Sequence, residues 1–561
     1  VSEQRAAMHA AAVDPTPAVT GDMIGEEPPP PMAKTAAKGM SVFMGFALLA
    51  KGATVGAQVV LGLVLTQADF GLYSTALAIS TIGLALRDGG SSDWIIQKGP
   101  KQIRDWLGPA FWMATAFNTG VALLLFAIAA AIWLAGSSKE LAVMVGACAL
   151  SQVLQSPAGT LTALLRSQLR FGEVGRVLGI SALLRQLFAP LFAVGGFGAP
   201  SFTLPMILCS AYESLRSWYQ TREMPWKLSP RFETWRTILK DTRWIMLNNG
   251  ASAMTNVGDY AVLSVILLAD QRGVYLFAYQ LVVQSAVFLT ANLTQVMFPT
   301  LAALKDDPKR FGAALLRTNR ALMLVLAPAT VGTAAVIAPL EDLVFKGRWD
   351  AAVPVVILCS ILFPARAIVP LSLSSMMALG RFRDNSIVTI VIGVSMMAGA
   401  AIGAIAANAF DATWTRAFLE AIGIEGGFRG VLTRETALTM FASGALGATL
   451  GCGVLRAVSS TWGILRAAKL AQVRRRDTLD AILGSWVLST FALVPTFAID
   501  WFVIADAHPL VRCIVAMVVY SLVWFVLTRL LLERDLRDLL NVMPAKVRPL
   551  GRKLMLMKDR G

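Results

Sequence analysis

The chain has 561 residues, of which 56% are hydrophobic and only 15% charged, a balance that excludes a soluble globule because too few polar residues remain to cover one. Its net charge of +15 would suit a nucleic-acid binder, but the cations gather in short segments between long apolar runs, which excludes that partner and points to a membrane. The five cysteines, Cys148, Cys209, Cys359, Cys452 and Cys513, all fall inside apolar runs where thiols pack as small groups, so no disulfide, metal site or cofactor is expected.

Taken in chain order, residues 1–40 read as a disordered cytoplasmic tail: 1–38 carry no apolar run and hence no signal peptide, and Pro28 to Pro31 resist a helix. From Val42 to Leu532 about fourteen apolar stretches follow, each near the roughly 20 residues that cross a hydrocarbon core. The spans are 42–64, 71–90, 107–135, 141–165, 175–198, 202–219, 244–268, 273–300, 312–338, 352–378, 386–408, 436–456, 480–503 and 510–532. The expected fold class is therefore an all-α polytopic membrane protein. With the N-terminus inside, the inward segments hold Lys98, Lys101 and Arg104, then Arg166, Arg170 and Arg176, then Arg222 to Lys240, and later Arg381, Arg383 and Arg474 to Arg476. The outward segments are poor in cations, so both termini are expected in the cytoplasm.

Two echoes divide the chain. Gly71-Leu72-Tyr73 opens the second span and Gly273-Val274-Tyr275 the eighth, while Arg170-Phe171 closes the fourth and Arg381-Phe382 the tenth. Six helices thus repeat in one orientation, an arrangement that places a substrate site between two lobes near the midplane, with access alternating as the lobes rock. The expected units are an N-lobe at 41–221, a cytoplasmic linker at 222–243 and a C-lobe at 244–456 that carries a periplasmic insert at 409–435. Beyond these lie a cytoplasmic amphipathic segment at 457–479, two further helices at 480–532 and a basic tail at 533–561. Trp414, Phe418 and Leu419 in the insert, and Trp462, Leu465 and Leu470 in the later segment, suit short interfacial helices. The tail, with Lys546, Arg548, Arg552 and Lys553, either rests on anionic membrane lipids or is a plain topology signal.

Charges inside apolar runs mark candidate sites, since a charge at the bilayer centre costs about 2.5–3.5 kcal/mol on the lenient insertion scale. Lys51 lies about 13 Å into its span, too deep to snorkel easily. Arg185 either faces a cavity or pairs with a carbonyl at a helix contact. Arg366 stands between Pro364 and Pro370, prolines that free backbone carbonyls and predict a broken helix serving as a binding element or a hinge. These three cations suggest a path for something anionic. Asp259, with Asn249 and Asn256 nearby, is a candidate for a coupling ion or a static counter-ion to one of the cations. Gln280 and Gln284, with Asn292 and Gln295 more loosely, put amides near one face of the eighth span, suited to sugar hydroxyls or to interhelix contacts.

The segment LVLTQADFGLYSTALAISTIGLALRDGGSSDWIIQKG carries an acidic residue followed by Phe-Gly-Leu-Tyr (Asp69, Phe70, Gly71, Leu72 and Tyr73). It then has Asp88-Gly89 and the Ile96-Gln97 turn, and the later string LTALLRSQLRFGEVGRV supplies a basic loop between spans four and five. In these elements the chain resembles bacterial polysaccharide flippases of the Wzx type, within the multidrug/oligosaccharidyl-lipid/polysaccharide exporter superfamily. The resemblance implies two pseudo-symmetric six-helix lobes in a V around a central cavity, with two more helices at the C-terminus. The implied cargo is an undecaprenyl-pyrophosphate-linked oligosaccharide, flipped from the cytoplasmic to the periplasmic leaflet of the bacterial inner membrane for exopolysaccharide, O-antigen or capsule synthesis. Partners would be the polysaccharide polymerase and export machinery. Guanidinium forks suit the pyrophosphate, so Lys51, Arg185 and Arg366 are the expected cavity cations.

An enzyme is not expected. The histidines are His9 and His508 alone, no outward segment is long enough for a catalytic domain, and no phosphate-cradling nucleotide loop occurs. The rivals are a cation-coupled drug or small-molecule antiporter, which would want carboxylates in its cavity, and a lipid II flippase, which shares the charge logic of the first reading.

Overall fold

In the computed structural model the chain is described over residues 31–168, 170–283, 301, 304–409, 444–532 and 536, and no strand occurs among these residues. The helices are α1 (Pro31–Val64), α2 (Gln67–Leu86), α3 (Ser91–Leu134), α4 (Lys139–Ser167), α5 (Phe171–Val194), α6 (Leu204–Thr221) and α7 (Trp235–Ile266). After α8 at 269–283 come α9 (Pro308–Val344), α10 (Val353–Leu362), α11 (Pro364–Ala378), α12 (Phe382–Ala409), α13 (Gly444–Leu470), α14 (Arg475–Phe491), α15 (Leu493–Phe502) and α16 (Pro509–Leu531). Among the described residues seven helical spans are long and apolar enough to cross a membrane, or eight when the bent pair α10–α11 counts as one. Large apolar side chains such as Leu123, Leu187, Val265, Ile402 and Val518 are exposed on their outer faces, an arrangement suited to lipid and not to water. The chain is a multi-pass membrane protein.

Several boundaries depart from expectation. The first helix begins at Pro31, inside the tail expected to be disordered to residue 40. Proline is preorganised for a first helical position and the Ala- and Lys-rich stretch after it favours helix. Lys98, Lys101 and Arg104, read as loop, ride on the helical approach of α3, whose membrane-crossing part is Asp105–Leu134. The amphipathic segment expected from residue 457 is instead a continuation of α13 to Leu470. The break foreseen near Arg366 is present: α10 and α11 meet at Phe363 with a 42° bend, because Pro364 cannot donate to the preceding turn. The insert at 409–435 beyond its first residue, Gln284, Asn292, Gln295 and nearly all of the basic tail lie outside the described residues.

Helices α1, α3, α4, α5 and α6 pack on one another through the pairs α1–α5, α3–α4 and α4–α6. A second group is built on α7–α12, α12–α13 and α11–α13, and α7 also lies along α2 of the first group. The last helices join the second group through α9, with Arg512 of α16 forking onto Asp500 of α15 (Nε–Oδ1 2.9 Å, Nη2–Oδ2 2.8 Å) and reaching Asp342 of α9 at 2.9 Å. A forked pair of this kind adds geometric specificity as well as attraction.

At one end of the bundle the described helices come into backbone contact. Gly71 and Gly273 occupy the starts of α2 and α8, where a Cβ on Gly71 would strike the carbonyl of Ala269 and one on Gly273 that of Gln67. Only glycine permits so close a backbone approach. Beside them Trp349 stacks on Phe277 at 3.8 Å and meets Phe70 edge-on at 5.0 Å. Its indole N–H donates to the Gly62 carbonyl at 2.9 Å, and Arg348 donates to the free carbonyls of Leu63 and Val64 at the end of α1. Glu341 fixes this turn by accepting from the backbone N–H groups of Trp349 (2.8 Å) and Gly347 (3.0 Å).

Candidate functional site

Two helix faces and a tight turn make a polar cavity of about 370 Å³ between the helix groups. From α4 come Gln155, Ala158, Gly159, Thr162, Ala163 and Arg166, and from α7 Asn249, Ser252, Ala253, Asn256 and Val257. Both sets follow the three- and four-residue step that places side chains on one helical face. Small residues on each stripe leave the space, and amides and hydroxyls supply the polarity.

The turn after α2 contributes Asp88. Its φ is 50°, followed by Gly89 at 59° and Gly90 at 71°, three left-handed residues in succession that explain an Asp-Gly-Gly sequence there. The Asp88 carboxylate accepts from the Gly90 N–H at 3.0 Å. Glu213 of α6 is held on both oxygens, by the Ser181 hydroxyl at 2.5 Å and the Gln155 amide at 3.0 Å. Arg166 is exposed at the rim. The charged lining is thus Asp88, Glu213 and Arg166.

The deep cations expected here sit around this lining and not in it. Lys51 is half-buried on α1. Arg185 is half-buried on α5 and donates to the Tyr73 hydroxyl at 3.2 Å. Arg366 lies behind α7, where its Nη2 donates to Asn256 Oδ1 at 3.4 Å. Asn256 therefore faces the cavity while touching the arginine on its other side. Gln280 is half-buried on α8.

Asp259 turns away from the cavity that Asn249 and Asn256 line. It is fully buried, accepting from the Tyr275 hydroxyl at 2.7 Å and the Tyr260 N–H at 3.0 Å. Arg456 and Arg366 both stand within electrostatic range of its carboxylate. Arg456, 5% exposed, donates to the Tyr279 hydroxyl at 3.0 Å and the Thr255 carbonyl at 2.7 Å, tying α13 to α8 and α7. Arg366 completes the cluster by lying over the rings of Tyr279 and Phe363 at 5.1 and 5.2 Å, a cation–π arrangement. Asp259, expected as a coupling residue or as a static counter-ion to one of the deep cations, thus has Arg366 and Arg456 near it.

Sequence reasoning missed Arg456, Glu213 and the role of Gln155. Arg456 stands at the end of an apolar run and reads as a flanking cation; the signal that could have found it is that Arg466 and Lys469, about three turns further along the chain, already supply such flanks. Glu213 shares α6 with Arg216, with Arg222 just beyond its end, and reads as part of a solvated face.

Comparison with known proteins agrees with this architecture. The lipopolysaccharide biosynthesis protein WzxC of Escherichia coli K12 is 25% identical over 313 residues, 54% of this chain and 61% of that protein. The teichuronic acid biosynthesis protein TuaB of Bacillus subtilis 168 is 28% identical over 141 residues, 24% of this chain and 29% of the relative. The matched regions thus span about three-fifths and under a third of these curated relatives. Among solved structures, the lipid II flippase MurJ in an inward closed conformation has a TM-score of 0.60 at 14% identity, covering 87% of this chain and 99% of that one. The Vibrio cholerae MATE transporter VcmN has a TM-score of 0.50 at 14% identity, covering 78% of this chain and 97% of its own. These two likenesses show the fold. The model of the family described as polysaccharide biosynthesis protein matches residues 60–354, more than half of the chain, and the protein belongs to that family.

Proposed function

We propose that this protein flips a lipid-linked oligosaccharide across the bacterial inner membrane by alternating access. The observation that carries the reading is the polar cavity bounded by α4 and α7, inside a membrane-spanning bundle with Gly71, Gly273, Phe70, Phe277 and Trp349 packed together at one end. Its volume falls near the low end of the range of about 300–1,000 Å³ for small-ligand sites, enough for a sugar head and not for a whole repeat unit. The carboxylates of Asp88 and Glu213 accept from sugar hydroxyls, the amides of Gln155, Asn249 and Asn256 both donate and accept, and Arg166 meets the pyrophosphate at the rim. Lys51, Arg185 and Arg366 add positive potential around the path, Gln280 and Gln284 extend the polar surface, and Asp259 is the coupling residue. That end is sealed and periplasmic, and both termini are cytoplasmic. About fourteen helices form two six-helix lobes in a V plus two more. The meeting of Gly71 with Gly273 supports the lobes, since copies related by a two-fold axis touch at equivalent residues. The cargo is an undecaprenyl-pyrophosphate-linked repeat unit that a polymerase and export machinery then take up.

The two lining carboxylates also favour a second reading, a cation-coupled antiporter whose cationic substrate meets Asp88 and Glu213. One variant separates the two. Glu213→Gln keeps an oxygen acceptor for a hydroxyl and removes the charge a cation needs. The gene is deleted, and lipid-linked oligosaccharide is measured on each leaflet of inverted vesicles with complementation. On the flippase reading the repeat unit accumulates on the cytoplasmic leaflet, wild type and Glu213→Gln rescue it, and Arg366→Ala does not. An unchanged lipid-linked pool, with drug efflux that Glu213→Gln abolishes, gives the antiporter instead.

A further inference from the structure

Behind α7 a second, small cavity of about 30 Å³ opens between α8, α10, α11 and α13. It is separate from the polar cavity, with Arg366 and Asn256 between the two. Arg366, Arg456, Tyr275, Tyr279, Cys359 and Cys452 stand in a lining whose surface is otherwise mostly apolar, and no carboxylate lines it. Arg366 Nη1 and Arg456 Nε are buried and make no hydrogen bond among the described residues. Tyr279 accepts from Arg456, so its own O–H proton remains to donate, and thiols are weak donors.

Charge leads to the same place. Within the cluster two guanidinium groups face one carboxylate, Asp259, whose oxygens are turned to Tyr275 and Tyr260. Buried guanidinium N–H groups without acceptors are costly in the membrane interior, and so is an unmatched positive charge. The missing partner must be an anion that accepts from donors on several sides, and it must be small. A space of about 30 Å³ admits one or two particles of water size, the size class of a bare halide.

We propose that this cavity binds one dehydrated halide, chloride in the cell, held between Arg366 and Arg456. The site lies behind α7, outside the polar cavity, and the proposal does not depend on the flippase reading. The ion neutralises the cluster and joins the broken helix pair α10–α11 to α13.

The test uses the whole protein purified into lipid nanodiscs at fixed sodium and ionic strength. Thermal melting is followed as gluconate is replaced by chloride, by bromide or by inorganic phosphate, and bromide is located by its anomalous scattering in crystals. Chloride and bromide should raise the melting temperature in a saturable way. The shift should vanish in Arg456→Gln and in Arg366→Gln and persist in Arg310→Gln, a change at an exposed cation. The bromide peak should lie between Arg366 Nη1 and Arg456 Nε. Equal melting of the wild type in chloride and gluconate overturns the proposal, as does a halide shift that survives both cavity variants. A shift with phosphate and none with halide overturns it too and gives the pocket to a phosphate-bearing ligand. If neither arginine variant folds, the wild-type titration and the bromide map decide alone. A failure here leaves the lipid-linked pool measured in cells untouched, so the two readings fail separately.

Discussion

Asp259 and Arg456 illustrate how a single buried charge depends on its neighbours. Asp259 is fully buried and Arg456 is 5% exposed, and breaking such a set by removing one partner strands the other without compensation, at about 3–5 kcal/mol. Arg456→Gln should therefore destabilise the protein by that order, and Asp259→Asn by a comparable amount. The double variant should cost well under the sum, because the charge left behind by each single change is removed with it. Melting of the three variants in nanodiscs checks this, and simple additivity would show that the two groups are not coupled. How much of this cluster could be read in advance follows from depth. Asp259 and Arg366 interrupt long apolar runs and were legible as sites. Arg456 was not, because the apolar stretch before it ends just there and the chain then stays helical to Leu470. Periodicity does not report where a long helix leaves the membrane.

At the scale of elements, the contact between α12 and α13 rests on glycines. A Cβ on Gly399 or Gly403 would run into the carbonyl oxygen of Gly451 or Gly447, and the reverse substitutions meet the same backbone. This is the small-xxx-small spacing that lets membrane helices approach closely. Gly403→Ala should destabilise by about 1–3 kcal/mol, since backbone cannot yield as a side chain can. Gly120→Ala, in α3 with nothing within 4 Å of the added carbon, should have the opposite sign and stabilise by about 0.5–1 kcal/mol through helix propensity. Thermal melting of both checks the pair, and a Gly403→Ala protein as stable as wild type would mean the helices are not in backbone contact. The break at Phe363 was readable because Pro364 enforces it. At Ala492, between α14 and α15, the residue is itself helical and donates to the Leu488 carbonyl at 3.0 Å, so the single span expected over 480–503 crosses as one and Pro495 is tolerated within it.

For the molecule as a whole, what matters is which end of the bundle is shut. The repeat of Gly-Leu-Tyr and Gly-Val-Tyr was visible as similarity, but nothing in the sequence says that the two copies press against one another. That depends on the way the helix groups dock, and so does the seating of Trp349 against Phe277 and the Gly62 carbonyl. On the proposed orientation, outward opening breaks this stack, the indole hydrogen bond and the Arg348 contacts to the end of α1. Trp349→Ala removes the stack and the indole hydrogen bond while leaving the cavity lining intact, so it should shift the population toward the outward-open state. The shift is read at Asn256→Cys, a position that lines the cavity. Its labelling by a membrane-impermeant maleimide added outside intact cells is compared with the parent protein, whose cysteines are buried or half-buried. Labelling should be slow with Trp349 present and rise several-fold in Trp349→Ala. Unchanged labelling would mean that the aromatic stack is packing and not a gate. Fast labelling from outside in both proteins would invert the orientation, placing the sealed end on the cytoplasmic side, and the direction of transport would then have to be argued from the opposite face.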